Sequence, residues 1–194
     1  LNAGIVGFKW KPYETIFTKE KALQGLELLG RLKEENGTQI KVIRSKRNLL
    51  DVVISRYKHK GNKGNIHAHC RKGDEKCVQQ HMKASSGFVL PTRRLLSQMK
   101  ELNDMEMRID RLLSKMKVPT IHVSFEKLFM GTNASEWTRT FAFLGVGPSG
   151  DVSMADVEEA SHAATSIPYH NVTLSNYDEV VDVLLGTEFE PLLH

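Results

Sequence analysis

The chain has 194 residues, 40% of them hydrophobic and 26% charged, with two cysteines and a formal net charge of +4. That is enough chain for one domain with its own core, and the composition argues against disorder. No apolar run approaches the roughly 18–20 residues of a membrane span, and no signal-peptide pattern opens the sequence.

The charge is unevenly spread. Residues 1–100 carry 21 Lys/Arg against 8 Asp/Glu, and residues 101–194 carry 6 against 15. The densest basic stretch, Lys41 to Lys63, holds eight Lys/Arg opposed only by Asp51. Such a patch attracts anions as a class: nucleic acid, acidic polysaccharide, phosphate or sulfate.

Strand and helix signals alternate along the chain. The run "GIVGFKW", Gly4 to Trp10, is apolar and rich in β-branched and aromatic residues, which predicts a buried strand. Thr18 caps a predicted helix that stops at Asn36-Gly37. "QIKVIR", Gln39 to Arg44, predicts a second strand. Asn48 then caps a helix whose Leu50, Val53, Ile54 and Tyr57 recur at i, i+3, i+4 and i+7.

Residues 61–87 lack clear periodicity and predict a long loop or insertion. Helix resumes from Thr92 to Met116 with Leu95, Leu96, Met99, Leu102 and Met105 as its apolar stripe, its methionines filling core rather than forming a site. Pro119 to Phe125 predicts a third strand. Trp137, Phe141 and Leu144 mark a helix ended by Gly145, and a last helix opens near Asn176. This succession predicts an α/β chain with a parallel sheet flanked by helices, forming a single domain over residues 1–194.

The stretch "KVIRSKRNLLDVVISRYKHK" carries the chemistry. Arg47 falls in the turn between strand and helix, and Ser55 about two turns into the helix, away from Leu50 and Ile54. Along an α-helix that separation is roughly 10–12 Å, which a long arginine can largely span. A phosphate can accept a bidentate pair from Arg47 and a hydroxyl bond from Ser55. The helix N-terminus adds free N–H groups and a favourable dipole. Asp51 suits that dipole and can hold the loop in shape. A chance serine beside a solvated basic turn is the plainer reading of the same pattern.

"VIRSKRNLLDVVISRY" resembles the 3′-phosphate-binding segment of sulfotransferases that use 3′-phosphoadenosine 5′-phosphosulfate (PAPS). In that family an arginine follows a strand and a serine lies eight residues later, as Arg47 and Ser55 do. The Arg-Asn-x-x-Asp core (Arg47, Asn48, Asp51) matches too. "VSFEKLF" followed by "WTRTFAFLGVGP" resembles the family's strand-plus-"YEDL" stretch, with Phe125 in place of the usual tyrosine. "SNYDEVVDVLLGTEFEPLL" resembles the end of some carbohydrate-type, algal and bacterial relatives. The resemblance implies a P-loop NTPase-like sulfotransferase fold, PAPS as co-substrate, no metal, and a hydroxyl-bearing acceptor, carbohydrate first among them.

One family feature is not matched. "GLELLGRL", Gly25 to Leu32, has Arg and Leu where a nucleotide P-loop needs Lys and Ser/Thr, and lies inside a predicted helix. The expectation is therefore that the chain is N-terminally truncated and begins downstream of the 5′-phosphosulfate loop. Within it, Lys9 at the end of the first predicted strand is the candidate for charge at the transferring group, with Lys11 in reserve. A solvated strand end is the alternative for both. His59 is a candidate base only by its nearness to the basic helix end.

Competing chemistries are few. His67, His69, Cys70, Cys77 and His81 are metal-ligand types, but their spacing is looser than structural zinc sites use. Cys70 and Cys77 can instead form a disulfide, which would imply a secretory compartment, or stay free in the cytosol. The sequons Asn133-Ala134-Ser135 and Asn171-Val172-Thr173 lean towards the Golgi lumen, with the cytoplasm as alternative. A nucleic-acid interface is not expected, since only Tyr57 lies among the basic residues and the second half is acidic. Beside the enzyme stands a second class, a non-catalytic nucleotide- or anion-binding relative.

Overall fold

The structure, a computed structural model, describes residues 39–61, 74–77, 79, 87–129, 135–145 and 170–193, together with 24, 25, 27, 28 and 31. It is mixed α/β, mostly helical, with a small two-stranded parallel sheet. Two compact units divide the chain, one of Leu1–Val42 with Arg108–Pro119, the other of Ile43–Met107 with Thr120–His194.

Strand β1 is Val42–Lys46 and helix α1 is Leu49–Gly61. The helix starts where an asparagine is available: the Asn48 side-chain oxygen accepts from the Leu50 N–H at 2.9 Å, satisfying one orphan amide of the first turn. Leu50, Val53 and Ile54 are buried, so the expected apolar face holds. The strand sits about two residues later than the hydropathy predicts, and Ile43 is exposed while Arg44 is buried. Arg44 is buried because its guanidinium pairs with Glu106 at 3.3 Å.

Glu106 belongs to helix α2, Leu95–Lys115. Leu95, Met99, Leu102, Ile109 and Leu113 form the buried stripe of that helix, and Glu106 occupies the i+11 position within it. A carboxylate on such a stripe needs a partner, and Arg44 supplies it. Ile109 and Leu113, with Val118, fall in the first unit; the residues up to Leu102 fall in the second.

Strand β2 is Thr120–Ser124, with Ile121 and Val123 buried and His122 exposed, the alternation of a half-buried strand. It runs directly into α3, Phe125–Phe129, and α4 follows at Ser135–Leu144. The Trp137 indole donates to the Leu128 carbonyl at 2.9 Å and stacks with Phe141 at 5.9 Å. Gly145 ends α4 at φ 79°, a conformation glycine adopts without strain.

Glu136 ties these elements together. Its carboxylate accepts from the Ser124 N–H at 3.0 Å and from Arg139 at 2.7 Å, and Arg139 also donates to the His122 carbonyl. The Arg139 bond first, and the Ser124 amide second, hold the Glu136 carboxyl below its ordinary range. A depressed carboxyl contributes stability above its unfolded value and loses it as pH falls through the folded one. Glu136→Gln is therefore expected to be less stable than wild type near neutrality and to flatten the acid limb of a Tm-versus-pH curve. Parallel curves for the two proteins would show that the contact carries no net weight.

The C-terminal part comprises α5, His170–Thr173, α6, Tyr177–Leu184, and a 3-10 turn, Glu190–Leu193. A single parallel bridge joins Phe88 to Leu174, with Phe88 N–H donating to the Thr173 carbonyl at 3.1 Å. Asn176 stands at the start of α6, as expected, yet its side chain does not cap the helix. It bonds both backbone groups of Leu90 instead.

Several expectations fall outside the described residues, including the Gly4 to Trp10 strand and the start of the helix after Thr18. Gln24, Gly25, Glu27, Leu28 and Arg31 are helical, in keeping with that helix. The segment 61–87 is not irregular throughout: Glu75, Lys76, Cys77 and Gln79 are helical, and Asp74 accepts from the Cys77 N–H at 3.0 Å. Asp74 is an ordinary capping residue, a local signal that outweighs the missing periodicity. Cys77 is disulfide-bonded, and Cys70 is the chain's other cysteine. No helix among the described residues is long and apolar enough to cross a membrane.

Candidate anion site at the start of helix α1

Arg47 and Asn48 link β1 to α1. The turn is held from several sides. The Asn48 N–H donates to the Glu126 carboxylate on α3 at 2.9 Å, and the Asn48 amide donates to the Leu192 carbonyl in the 3-10 turn at 2.9 Å. Glu126 is braced in turn by the Ser124 hydroxyl at 2.8 Å. The three stretches that carry the family resemblance thus meet at one residue, although they lie up to 144 positions apart in the chain.

Arg47 is anchored without being used up. Its guanidinium carbon lies 4.8 Å from the centre of the Phe125 ring, and its Nε is 3.9 Å from Asp51 Oδ2. The second distance is a charge contact rather than a hydrogen bond. The Nε atom is buried with no hydrogen-bond partner. A cation held over an aromatic face spends none of its N–H groups on that contact and leaves them for an anion. Phe125 serves for that as well as a tyrosine would.

Asp51, Ser55 and Lys58 recur at i, i+4 and i+7, so they share one face of α1, beside the buried face of Leu50, Val53 and Ile54. Ser55 is half-buried there. Arg47 reaches along the same face, since it meets Asp51 four residues on. Arg47 and Ser55 thus lie at the two ends of a stripe that has Asp51 in its middle. Burial pushes the Lys58 ammonium down from its ordinary value, and the Asp51 carboxylate offsets part of that; its nitrogen lies 5.7 Å from the Phe88 ring centre.

Sequence reasoning misses two contributors. Lys58 is legible as a basic residue on the Ser55 face, but the surrounding patch hides it. His170 gives no signal at all: its ring bonds Asp51 Oδ1 at 3.0 Å across 119 positions. Lys9 and Lys11 lie outside the described residues, as do His67, His69, Cys70, His81 and the side chain of His59. Among the described residues no group of three or more His, Cys, Asp or Glu could hold a metal ion.

A separate open concavity of about 490 Å³ is lined by Thr92, Arg93, Leu96, Ser97, Lys100 and Val183. It includes neither Arg47 nor Ser55. Arg93 and Lys100 make it a rival location for an anion, but nothing there is stacked or buried as Arg47 is. No protein-family model, curated protein or solved structure matches the chain.

Proposed function

We propose that the chain is a PAPS-dependent sulfotransferase domain in which Arg47 and Ser55 hold the 3′-phosphate of the nucleotide. The carrying observation is Arg47 itself. A guanidinium laid on Phe125 at 4.8 Å, at the mouth of a 13-residue helix and on the face that bears Ser55, is preorganised for an oxyanion. Asn48 and Glu126 lock the turn that carries it, so little ordering is left for the ligand to impose.

In sulfuryl transfer an acceptor hydroxyl attacks sulfur as the bond to the 5′-phosphate breaks. The reaction needs in-line placement, a base for the hydroxyl proton and positive charge on the leaving oxygens. Arg47 and Ser55 serve the first need by fixing the far end of the nucleotide. Lys9 is the proposed source of positive charge at the transferring group. The acceptor is a hydroxyl compound, carbohydrate by the family resemblance, and the fold proposed is that of the P-loop-like sulfotransferases. The disulfide at Cys77 and the sequon at Asn171 support a Golgi-lumen setting.

Adenosine 3′,5′-bisphosphate is expected to raise Tm clearly more than 5′-AMP at equal concentration, because only the former offers a 3′-phosphate. Equal shifts in a thermal melt would remove the assignment. A binding role without transfer shares this site, and radiolabelled sulfate transfer from PAPS to carbohydrate hydroxyls separates the two.

A further inference from the structure

We propose that His170 is the positioning residue of this anion site: as an imidazolium it holds Asp51 away from Arg47, so phosphate binding at Arg47 strengthens when His170 is protonated. The proposal rests on the Arg47 reading above and adds its control.

The ring is 6% exposed and faces two acceptors. Nε2 lies 3.0 Å from Asp51 Oδ1 and Nδ1 lies 3.4 Å from the Leu193 carbonyl oxygen. A carbonyl oxygen and an ionised carboxylate only accept, and a neutral imidazole has one N–H to give. A neutral ring can therefore donate to only one of them, and only the imidazolium can donate to both. The Tyr177 hydroxyl also donates to the Leu193 carbonyl, at 3.2 Å, which fixes that oxygen in place.

With the ring protonated, Asp51 is shared between His170 and Arg47. One oxygen bonds His170, and the other stops 3.9 Å short of the Arg47 Nε, whose N–H has no hydrogen-bond partner. Closing that gap by about an ångström would turn the contact into a hydrogen bond. A neutral His170 removes one of the charges that compete with Arg47 for Asp51, and the carboxylate is then free to close on Arg47. A phosphate would have to displace it. Protonated, the Arg47–Asp51–His170 trio carries a net single positive charge; deprotonated, it carries none. Among the described residues, the groups beside the trio include Lys58 along α1, Glu126 of α3 through the Asn48 amide, and Tyr177 of α6.

The test is calorimetric titration of adenosine 3′,5′-bisphosphate into wild type and His170→Gln between about pH 5 and pH 8, the range in which histidines change charge. A phosphate ester also titrates near pH 6, so the readout is the ratio of the two affinities at each pH. Wild type is expected to bind about tenfold tighter at the acid end, the effect of one charge at this range, with the ratio falling towards one at the alkaline end. A ratio that stays constant with pH overturns the positioning role while leaving the Arg47 reading intact. Loss of binding by wild type at every pH overturns that reading itself. Should the variant not fold, the ¹⁵N shifts of the wild-type ring decide. Two protonated nitrogens where binding is tight support the proposal, and a single neutral tautomer there overturns it.

Discussion

Arg47→Ala is expected to weaken binding of adenosine 3′,5′-bisphosphate by roughly 10- to 150-fold, the range of about 1.5–3 kcal/mol for hydrogen bonds to a charged group. The loss should exceed that of Ser55→Ala, which removes one neutral hydroxyl and about 0.5–1.5 kcal/mol. Arg47→Lys should recover only part of the affinity, because an ammonium keeps the charge but not the planar fork or its fit to the Phe125 ring. The fold should tolerate all three changes. What Arg47→Ala removes from the protein itself is a stacking contact of about 0.5–1 kcal/mol and a charge contact too long for a hydrogen bond. Calorimetric titration checks the order, and Arg93→Ala supplies the control. Arg93 lines the other concavity, so its loss should leave affinity unchanged. A larger effect at Arg93 than at Arg47 would move the phosphate to the groove between Thr92 and Val183 and end the proposed assignment.

The parts of this site that can be read from sequence are those set by local geometry. Asn48 before an i, i+3, i+4 apolar run announces a helix start, and the helix begins at Leu49. Helical spacing places Ser55 on the side away from Leu50 and Ile54, and the fold keeps it half-buried there. The parts that cannot be read are long-range. Phe125 lies under Arg47, Glu126 bonds the Asn48 amide, and His170 bonds Asp51, at separations of up to 119 positions. None leaves a periodic trace, because each is one side chain meeting one turn. Asp51 shows the boundary between the two kinds. Its place in the first turn of a helix is legible from the dipole, whereas its sharing between Arg47 and His170 is a property of the assembled fold. The Arg44–Glu106 pair has a half-visible signal. An acid on the apolar stripe of α2 calls for a partner, but nothing local says that β1 supplies it.

Asn176→Ala is expected to destabilise the fold by about 2–4 kcal/mol, more than a helix cap is ordinarily worth. The sequence places this asparagine at the opening of a helix, where capping would be its usual task. Its amide instead forms a two-way clasp on Leu90. Oδ1 accepts from the Leu90 N–H at 2.9 Å and Nδ2 donates to the Leu90 carbonyl at 2.9 Å, with a further bond to Glu179 at 3.2 Å. Leu90 is 0% exposed, so water has poor access to the two backbone groups that truncation would strand. The cost is then set by the unpaired donor and acceptor rather than by the modest net value of the bonds lost. The choice of residue is also tightly constrained. A carboxylate in place of the amide would keep an acceptor for the N–H but set a negative charge against the Leu90 carbonyl. Asn176→Asp should therefore be at least as harmful as Asn176→Ala. Asn176→Gln keeps both groups on a longer arm and should recover little, because the clasp needs both bonds in one plane. Urea unfolding of the three variants tests this. Stability within about 0.5 kcal/mol of wild type for Asn176→Ala, the range of a surface substitution, would show that Leu90 finds other partners. The clasp joins the segment leading into α2 to the start of α6, and the chain beyond α6 ends in the 3-10 turn whose Leu192 and Leu193 carbonyls hold Asn48 and His170. Loosening it should therefore weaken adenosine 3′,5′-bisphosphate binding as well, although Asn176 touches no part of the Arg47 site.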